Sequence, residues 1–409
     1  MVWQRDGIVG LQTPAESRPD RVDVAVFGGG LTGLSAALFL AEAGLSVLVV
    51  EARTAGDGAS GRNGGQILTG VNPSFRELAR EAGEHWARTL YREGDRAVED
   101  VAELVARLKI ACDFHRGGHL AVAVDGDRLD ALEADRDALG GPLRMLDRAG
   151  VEMCLGFPGY VGGLYDPRSA TANPYRLTLG IGRAAVTRGV HIVEHARGRL
   201  EPRPGHFVVH GAGRPVRAER VLVATNAFLS ETVPALKLRV RRVSGTVIAT
   251  KPLPDAARAR ILPGRPAVFE ESDRYAHFQR TADGRLVFGG RAHADASTGV
   301  DGVVRFLRTL IPELAGVTVS HAWTGPLGIT ASGLPTWGET GDGTLYVGGY
   351  SGHGVALSVR LGLELGRYLA TGAEPDWPRM LPFRHGFSHR SIKRFRPPAR
   401  PPRRFPALR

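Results

Sequence analysis

The sequence predicts an α/β protein that combines a doubly wound, Rossmann-like domain with a second α+β domain built on an antiparallel sheet. The first observation is a strand, a glycine-rich turn, a helix and a second strand within residues 23–51. The second is a run of short strand patterns separated by turn residues over residues 239–291. Because β-α units and antiparallel segments alternate along the chain, we expect both domains to be discontinuous in sequence.

The first β-α-β unit is defined by its apolar pattern. Residues 23–29 (DVAVFGG) form a short β-rich run that ends in glycine, as a buried parallel strand does. Residues 31–44 then carry apolar side chains at helical spacing, with Gly44 as the stop, and residues 45–51 (LSVLVVE) predict a second strand. The five glycines within residues 24–50 suit this unit and argue against a membrane span of similar length.

The remaining elements follow from the same periodicities. Apolar stripes predict helices within 73–110, 127–140, 175–189, 301–311 and 354–371, and strands at 118–125, 190–196, 206–210, 214–218, 220–227 and 344–348. The antiparallel segment comprises strands at 240–251, 267–272, 275–281 and 285–291, with Asp283 and Gly284 as a hairpin turn.

The formal net charge of +11 is concentrated at one end of the chain. Residues 384–409 contain nine Lys or Arg and no acidic residue, and they are rich in proline. Such a tail can bind nucleic acid or anionic lipid, but it is more often a solvated extension. We therefore expect no nucleic-acid partner and keep nucleic-acid binding as a remote alternative.

Cysteine usage and the first twenty residues indicate in which cellular compartment the protein is expected. Cys112 and Cys154 lie in neither a CxxC nor a Cys/His zinc spacing, so we expect neither a disulfide framework nor a metal site. Residues 1–20 carry charges of both signs and no apolar core, unlike a signal peptide. A cytoplasmic protein without a membrane span is the expectation.

The glycine motif after the first strand is suited to bind a dinucleotide. Gly28, Gly30 and Gly33 fit the pattern G-x-G-x-x-G between a strand and a helix. The first glycine permits the tight turn, the second lets a pyrophosphate approach the backbone, and the third lets the helix pack on the strand. Glu51, 18 residues beyond Gly33 at the end of the second strand, can accept hydrogen bonds from ribose hydroxyls. These features leave FAD and NAD both open.

A second glycine-rich stretch distinguishes between the two cofactors. Residues 58–66 (GASGRNGGQ) contain the form R-x-G-G, about 30 residues after the first motif, and here the sequence resembles the FAD-dependent oxidoreductases of the D-amino-acid oxidase and glycine/sarcosine oxidase superfamily. The form looks most like the bacterial gamma-glutamylputrescine oxidase branch. Residues 220–228 (RVLVATNAF) and 345–358 (LYVGGYSGHGVALS) are similar to two further segments of that family, in the same order.

The resemblance implies FAD as the cofactor, bound without a covalent link, because residues 322–330 (AWTGPLGIT) hold no cysteine for attachment. It implies a final helix whose N-terminus faces the anionic end of the reduced flavin, which is physically sound. The expected cofactor-binding residues are Gly28, Gly30, Leu31, Thr32, Gly33, Glu51, Ala52, Arg53, Ser60, Gly61, Arg62, Asn63, Gly64, Gly65, Gln66, Arg197, Thr225, Asn226, Gly325, Gly349, Ser351, Gly352, His353, Gly354 and Val355.

The resemblance also implies a domain division. We expect an N-terminal extension at 1–20, an FAD-binding domain formed by 21–75, 160–238 and 322–383, a substrate domain formed by 76–159 and 239–321, and a basic tail at 384–409. No second glycine motif of this kind occurs in mid-chain, so a separate NAD(P)H site is not expected.

The candidate catalytic or substrate-contacting residues lie on the antiparallel sheet and beside the final turn. Strand alternation places Tyr275, His277 and Gln279 on one polar face, and His353 lies in the turn next to the expected flavin. The alternatives are a solvent-facing strand and a purely structural turn histidine.

Flavin-dependent oxidation of an amine moves hydride from the α-carbon to flavin N5 and needs orientation more than acid–base groups. The resemblance implies an amine or amino acid as the substrate. The expected acceptor is molecular oxygen, with a quinone or protein acceptor as the alternative. The four lysines, Lys109, Lys237, Lys251 and Lys393, offer no clearly placed oxygen-activating group. The identity of the amine and the oligomeric state stay open.

Overall fold

The computed structural model describes residues 1–4, 10–236, 239–272, 275–290 and 299–379. The basic tail at 384–409, Lys237 and Lys393 lie outside these residues. The strands are β1 Arg21–Phe27, β2 Val47–Val50, β3 Gln66–Ile67, β4 His119–Ala123, β5 Arg144–Asp147, β6 Gly162–Asp166, β7 Ala170–Thr171, β8 His191–Val193, β9 Arg199–Arg203, β10 His206–His210, β11 Val216–Val223, β12 Arg241–Thr250, β13 Ala267–Glu271, β14 His277–Arg280, β15 Leu286–Gly289, β16 Val319–Ile329, β17 Thr336–Glu339 and β18 Leu345–Gly348.

Helices connect these strands. They are α1 Leu31–Glu42, α2 Ala59–Arg62, α3 Phe75–Ala82, α4 Glu84–Arg107, α5 Gly126–Leu139, α6 Arg148–Leu155, α7 Pro174–Thr187, α8 Leu229–Thr232, α9 Asp255–Arg260, α10 Val300–Leu310 and α11 Val355–Thr371. No helix within the described ranges is long and apolar enough to cross a membrane.

The first sheet has a parallel centre in the order β8, β2, β1, β11, β18, with β17 antiparallel at one edge. The β9–β10 hairpin extends β11 in antiparallel fashion. The central strands are buried on both faces, as their continuous apolar sequences require. The predicted doubly wound α/β fold is confirmed, with β1, α1 and β2 as its first unit.

Helix α1 is buried on nearly all sides because α7 and α11 pack against it. Glycine makes the α1–α11 approach possible: a Cβ at Gly362 would lie 2.4 Å from the carbonyl oxygen of Thr32. This packing fixes the N-terminal ends of α1 and α11 in one rigid core, and the candidate site is built from both ends.

The second sheet runs in the order β16, β12, β15, β14, β13, β4, β6, β5, and among the strand pairs that the structure describes in it, only β13–β4 is parallel. One face is covered by an apolar cluster that includes Phe278, Phe288 and Phe306. The other face carries Val247, Val287 and other residues that belong to the core of the first domain. The face of the second sheet that is expected to contact the substrate, which carries His277 and Gln279, therefore packs against the first domain.

The strand topology differs from the expectation in three places. Residues 214–218 and 220–227, expected as two strands, contribute to the single strand β11, because Ala218 and Arg220 pair with β1 in one unbroken register across Glu219. The boundary expected at 322 falls inside β16, whose length pairs with β12 in the second sheet. Strand β6, expected in the first domain, pairs with β4 in the second sheet. The division into domains otherwise stays a prediction.

Within residues 1–4 and 10–20, part of the expected N-terminal extension packs on the first domain. Trp3 and Leu11 are buried, and the Thr13 N–H donates to the Ile192 carbonyl on β8 at 2.9 Å. The sequence does not indicate this packing, because the packing depends on one indole and one backbone hydrogen bond in an otherwise polar segment.

Candidate cofactor and substrate site

The turn between β1 and α1 requires glycine at the three motif positions. Gly28 has φ +109°, and a Cβ there would lie 2.7 Å from the Ala224 carbonyl oxygen. A Cβ at Gly33 would lie 2.0 Å from the Gly28 carbonyl oxygen, and one at Gly30 would lie 2.7 Å from Ser60 Oγ. The backbone is thus left bare where α1 begins, and helix N-terminal N–H groups favour phosphate.

The hydroxyl of Ser60 already contacts this helix end. The Leu31 N–H donates to Ser60 Oγ at 2.9 Å, and Thr32 Oγ1 lies 2.7 Å from the hydroxyl of Tyr350. Burial raises the pKa of Tyr350, so the phenol stays protonated. The two glycine-rich stretches singled out in the sequence therefore meet at the start of α1.

Glu51 lies at the end of β2 against the glycine turn. Its Oε2 accepts the Gly29 N–H at 2.7 Å and its Oε1 accepts the Arg53 N–H at 2.8 Å. The Ala196 N–H donates to the Glu51 carbonyl at 2.9 Å, which holds the backbone before Arg197 against the backbone of Glu51. Ala52 lies between Glu51 and Arg53 in the chain. The structure thus groups four of the expected cofactor-binding residues.

The loop at 60–66 is held by its own side chains. Arg62 Nε donates to the Asp57 carbonyl at 2.6 Å, and Asn63 Nδ2 donates to the Ser60 carbonyl at 2.8 Å. Asn63 Oδ1 accepts the Gly65 N–H at 2.7 Å. A Cβ at Gly61 would lie 2.3 Å from the Gly56 carbonyl oxygen, so the tight turn excludes other residues.

The turn after β11 supplies Thr225 and Asn226. Thr225 Oγ1 is buried and has no hydrogen-bond partner within the parts of the chain that the structure describes. Asn226, at φ +44°, accepts the Gly349 N–H on its Oδ1 at 2.9 Å. This bond ties the turn after β11 to the turn after β18.

The turn at 349–355 leads into α11. Gly349 and Gly352 have φ values of +79° and +92°. The buried Ser351 accepts the Thr330 N–H on its Oγ at 3.1 Å. Gly354 directly precedes α11, whose first residue is Val355.

His353 points back toward the first half of the chain. Its Nε2 lies 3.1 Å from the Thr69 carbonyl oxygen, and burial lowers its pKa to about 4. The imidazole is therefore neutral at pH 7, and its Nε2 is the donor to that carbonyl. Gly325 on β16 lies against the glycine-rich loop, because a Cβ at this position would be 3.1 Å from Arg62 Cβ.

Gln279 and Gln66 connect this loop to the second sheet. The Gln279 side-chain amide donates to the Gly64 carbonyl, and Gln66 Nε2 donates to the Val268 carbonyl at 3.0 Å. Gln279 is 2% exposed, so the alternative of a solvent-facing β14 is wrong. The polar face of β14 lies against the glycine-rich loop.

His277 lies on the same face of β14. A Cβ at Gly64 would be 3.1 Å from its Cδ2, and one at Gly289 would be 2.2 Å from its Cε1. Burial lowers the pKa of His277, which favours the neutral imidazole. The ring is therefore confined between two glycines.

Tyr275 departs from the expected strand, because β14 begins only at His277 and Tyr275 has φ +54°. Its ring nevertheless packs edge-on against Phe269, with centroids 5.8 Å apart. Phe269 stands opposite His277 in the β13–β14 register, and directly opposite residues share a face. Tyr275, His277 and Gln279 therefore lie on one surface. Alternation along β14 places His277 and Gln279 there, and Tyr275 joins them from the residues that precede the strand.

The same surface contains His119, which the sequence analysis missed. His119 is the register partner of Ala267 on β13, two residues before Phe269, and so lies on the same face. Its Nε2 is buried without a hydrogen-bond partner in the described ranges, and burial lowers its pKa to about 4. The available signal was a polar residue that opens the otherwise apolar strand HLAVA.

The residues present fit a bound dinucleotide with a flat ring system. The glycine turn leaves no room for side chains, Thr225 offers an unused buried hydroxyl, and a Cβ at Gly352 would meet no atom within 4 Å. No group of three or more metal-ligating side chains occurs in the described portions of the chain.

Comparison with known proteins agrees with this geometry. The family model described as FAD dependent oxidoreductase (DAO) matches residues 23–367. The chain is 33% identical over 365 residues to a probable oxidoreductase, OrdL, of Rhizobium meliloti, with 87% of this chain and 84% of that protein covered. It is 33% identical over 360 residues to gamma-glutamylputrescine oxidoreductase of Escherichia coli K12, covering 86% and 84%.

The fold matches solved structures as well. Glycine oxidase from Geobacillus kaustophilus superposes with a TM-score of 0.72 at 22% identity, covering 86% of this chain and 95% of that one. The resemblance stated from the sequence motifs is confirmed.

Proposed function

Since the chain belongs to the DAO family of FAD-dependent oxidoreductases, we propose that it oxidises a C–N bond of an amine or amino acid, with molecular oxygen as the electron acceptor. The observation that carries this proposal is the contact between β14 and the glycine-rich loop. His277 and Gln279 lie directly on Gly64, so the polar face of the second sheet meets the expected cofactor loop. A substrate held on that face would be next to a cofactor held by the loop.

We assign FAD binding to the bare backbone around Gly28–Gly33, to Glu51, to residues 60–66 and to residues 349–355. The N-terminus of α1 suits the pyrophosphate, and the carboxylate of Glu51 suits ribose hydroxyls. The N-terminus of α11 suits a ring that gains negative charge on reduction. The binding is proposed to be non-covalent, because Cys112 is fully buried in the apolar core and residues 322–330 hold no cysteine.

FAD, when bound, supplies the acceptor for the hydride that leaves the α-carbon of the substrate. The chain itself supplies a site of neutral polar groups. His119, His277 and His353 all have lowered pKa values because of burial, so none of the three adds positive charge at pH 7. Unprotonated imidazole nitrogens accept hydrogen bonds from an amine N–H, and Tyr275 with Phe269 provides an aromatic wall. Such a surface orients an amine and excludes water.

The substrate class is suggested by the relatives. One curated relative is a gamma-glutamylputrescine oxidoreductase, and a neutral polar surface with an aromatic wall suits the aliphatic stem and terminal amine of an aminoalkyl chain. We propose a primary amine on an aliphatic chain as the first substrate to test, with gamma-glutamylputrescine as its specific case.

A dehydrogenase that passes electrons to a quinone or a protein is the second candidate. The two described lysines, Lys109 and Lys251, are exposed. Lys109 lies two residues after the end of α4, and Lys251 directly follows β12. Neither supplies a cation on the proposed substrate surface, which is the observation that favours this candidate. Nucleic-acid binding by the tail at 384–409 is retained only as a remote alternative, tested by salt-dependent binding that its removal abolishes.

The visible absorption spectrum of the purified protein tests the proposal first. We expect the two bands of oxidised flavin, bleached under anaerobic conditions by one member of an amine and amino-acid panel. A protein that is colourless and takes up no added FAD would overturn it. Stopped-flow mixing of the reduced protein with oxygen then separates the two acceptors, because slow reoxidation would exclude the oxidase.

A further inference from the structure

Three consecutive carbonyls of the glycine-rich loop each accept a side-chain N–H from a different part of the chain. The indole N–H of Trp323 donates to the Arg62 carbonyl at 2.8 Å, and that of Trp3 donates to the Asn63 carbonyl at 2.9 Å. The third carbonyl, of Gly64, accepts the amide of Gln279. The loop is therefore held from outside along its length, and not only by Asn63.

The two indoles also contact each other. The rings of Trp3 and Trp323 meet edge to face, with centroids 6.4 Å apart and an interplanar angle of 73°. They are 4% and 6% exposed. The Trp3 carbonyl accepts the side-chain amide of Asn173, the residue that precedes α7, at 3.2 Å. The segment 1–4 is thus bound to the loop, to β16 and to α7.

This arrangement sets the direction of the loop amides. A trans peptide points its N–H opposite to its carbonyl. The bond from Trp323 to the Arg62 carbonyl therefore fixes the Asn63 N–H, and the bond from Trp3 to the Asn63 carbonyl fixes the Gly64 N–H. Gly64 and Gly65 have the largest backbone freedom of any residue type, so external bonds are needed to order them before a ligand arrives.

We propose that Trp3 and Trp323 are positioning residues for the cofactor: their indole N–H groups hold the peptide planes at 62–64 so that the N–H groups of Asn63 and Gly64 face bound FAD. This inference rests on the proposed FAD site. It assigns a cofactor-related role to the segment 1–4, which makes no contribution to the glycine motifs.

The test compares three Trp→Phe variants, each of which keeps an aromatic ring and loses one indole donor. Trp3→Phe and Trp323→Phe remove the loop bonds. Trp337→Phe is the matched control, because the Trp337 indole is 2% exposed and donates to the Trp377 carbonyl at 2.8 Å, outside the site. Each protein is stripped of flavin and titrated with FAD, and binding is followed by the change in flavin fluorescence. The shape of the bound-flavin absorption band is recorded alongside.

We expect Trp3→Phe and Trp323→Phe to lose about tenfold or more in FAD affinity, the usual effect of leaving one buried carbonyl unpaired, with an altered flavin band. Trp337→Phe should bind FAD within about twofold of the unaltered chain while losing a similar amount of thermal stability. Unchanged affinity in both loop variants would overturn the inference, and so would an equal loss in the control. Failure of the unaltered chain to bind FAD would overturn the proposed function itself.

Discussion

His277 and Gly289 stand opposite each other in the β14–β15 pair, and the imidazole occupies the space that a side chain at Gly289 would need. A Cβ at Gly289 would lie 2.2 Å from Cε1 and 2.4 Å from Nε2 of His277. The glycine therefore determines where the imidazole lies on the proposed substrate surface. Gly64 limits the ring on its other side, which couples its position to the glycine-rich loop.

The variant Gly289→Ala should displace the His277 ring without removing it. We expect kcat/KM for the amine substrate to fall by about tenfold or more, because a small misplacement of an orienting group is costly, while FAD affinity changes little. The measurement is steady-state kinetics together with FAD titration. Gly316→Ala is the control, since a Cβ there would meet no atom within 4 Å and φ is not positive. Equal kinetics in the two variants would contradict the role given to His277.

Glu51 offers a test of the cofactor site that does not depend on the substrate. In Glu51→Gln one of the two oxygens that accept the Gly29 and Arg53 N–H groups becomes an amide donor facing another donor. We expect a loss of about 1–3 kcal/mol in stability and an FAD affinity at least about tenfold lower. Thermal unfolding and FAD titration provide the two measurements.

The control for this carboxylate is Glu219→Gln. Glu219 pairs with Arg21 at the surface, with 43% of its side chain exposed. Exposed ion pairs contribute about 0–1 kcal/mol, so we expect little change in stability and none in FAD affinity. An FAD affinity in Glu51→Gln equal to that of the control would show that the Glu51 carboxylate does not serve the cofactor.

Asn226 combines an unusual backbone angle with a specific bond, and three variants separate the two effects. Asn226→Gly keeps the φ of +44° accessible but loses the bond to the Gly349 N–H. Asn226→Ala loses both, and Asn226→Asp keeps an acceptor and a tolerated φ. We expect stability to decrease in the order Asp, Gly, Ala, with a difference of about 1 kcal/mol between Gly and Ala from backbone strain. Denaturant unfolding at pH 7 measures the order, and an Ala variant as stable as Gly would refute the strain.

The local part of the site could be predicted from sequence because its signals are periodic or glycine-based. Gly28, Gly30 and Gly33 follow a strand and open a helix, and the alternation that placed His277 and Gln279 on one face was correct. Alternation could not place Tyr275, because its backbone is left-handed and β14 begins two residues after it, at His277.

The parts that the sequence missed depend on contacts between distant segments. Trp3 lies 60 residues from the Asn63 carbonyl that it binds, and Trp323 lies 261 residues from the Arg62 carbonyl. His119 reaches the proposed surface through strand pairing with β13, about 150 residues later in the chain. No periodicity within one segment encodes these meetings. The membership of β6 and β16 in the second sheet was missed for the same reason.

The buried histidines predict a pH dependence of stability, which His119→Gln isolates. The pKa of His119 is about 4 in the folded chain and near 6.5 when unfolded. The unfolded chain therefore binds more protons between these values, so the free energy of unfolding falls as the pH drops from about 7 towards 4, by up to about 3 kcal/mol for this group. Glutamine does not titrate, so the variant should lose stability less steeply over that range. Denaturant unfolding at pH 7, 6 and 5, with FAD at one saturating concentration, compares the two slopes. Parallel curves would mean that the His119 imidazole is charged or solvated in the folded chain, and it would then not be a neutral acceptor on the substrate surface.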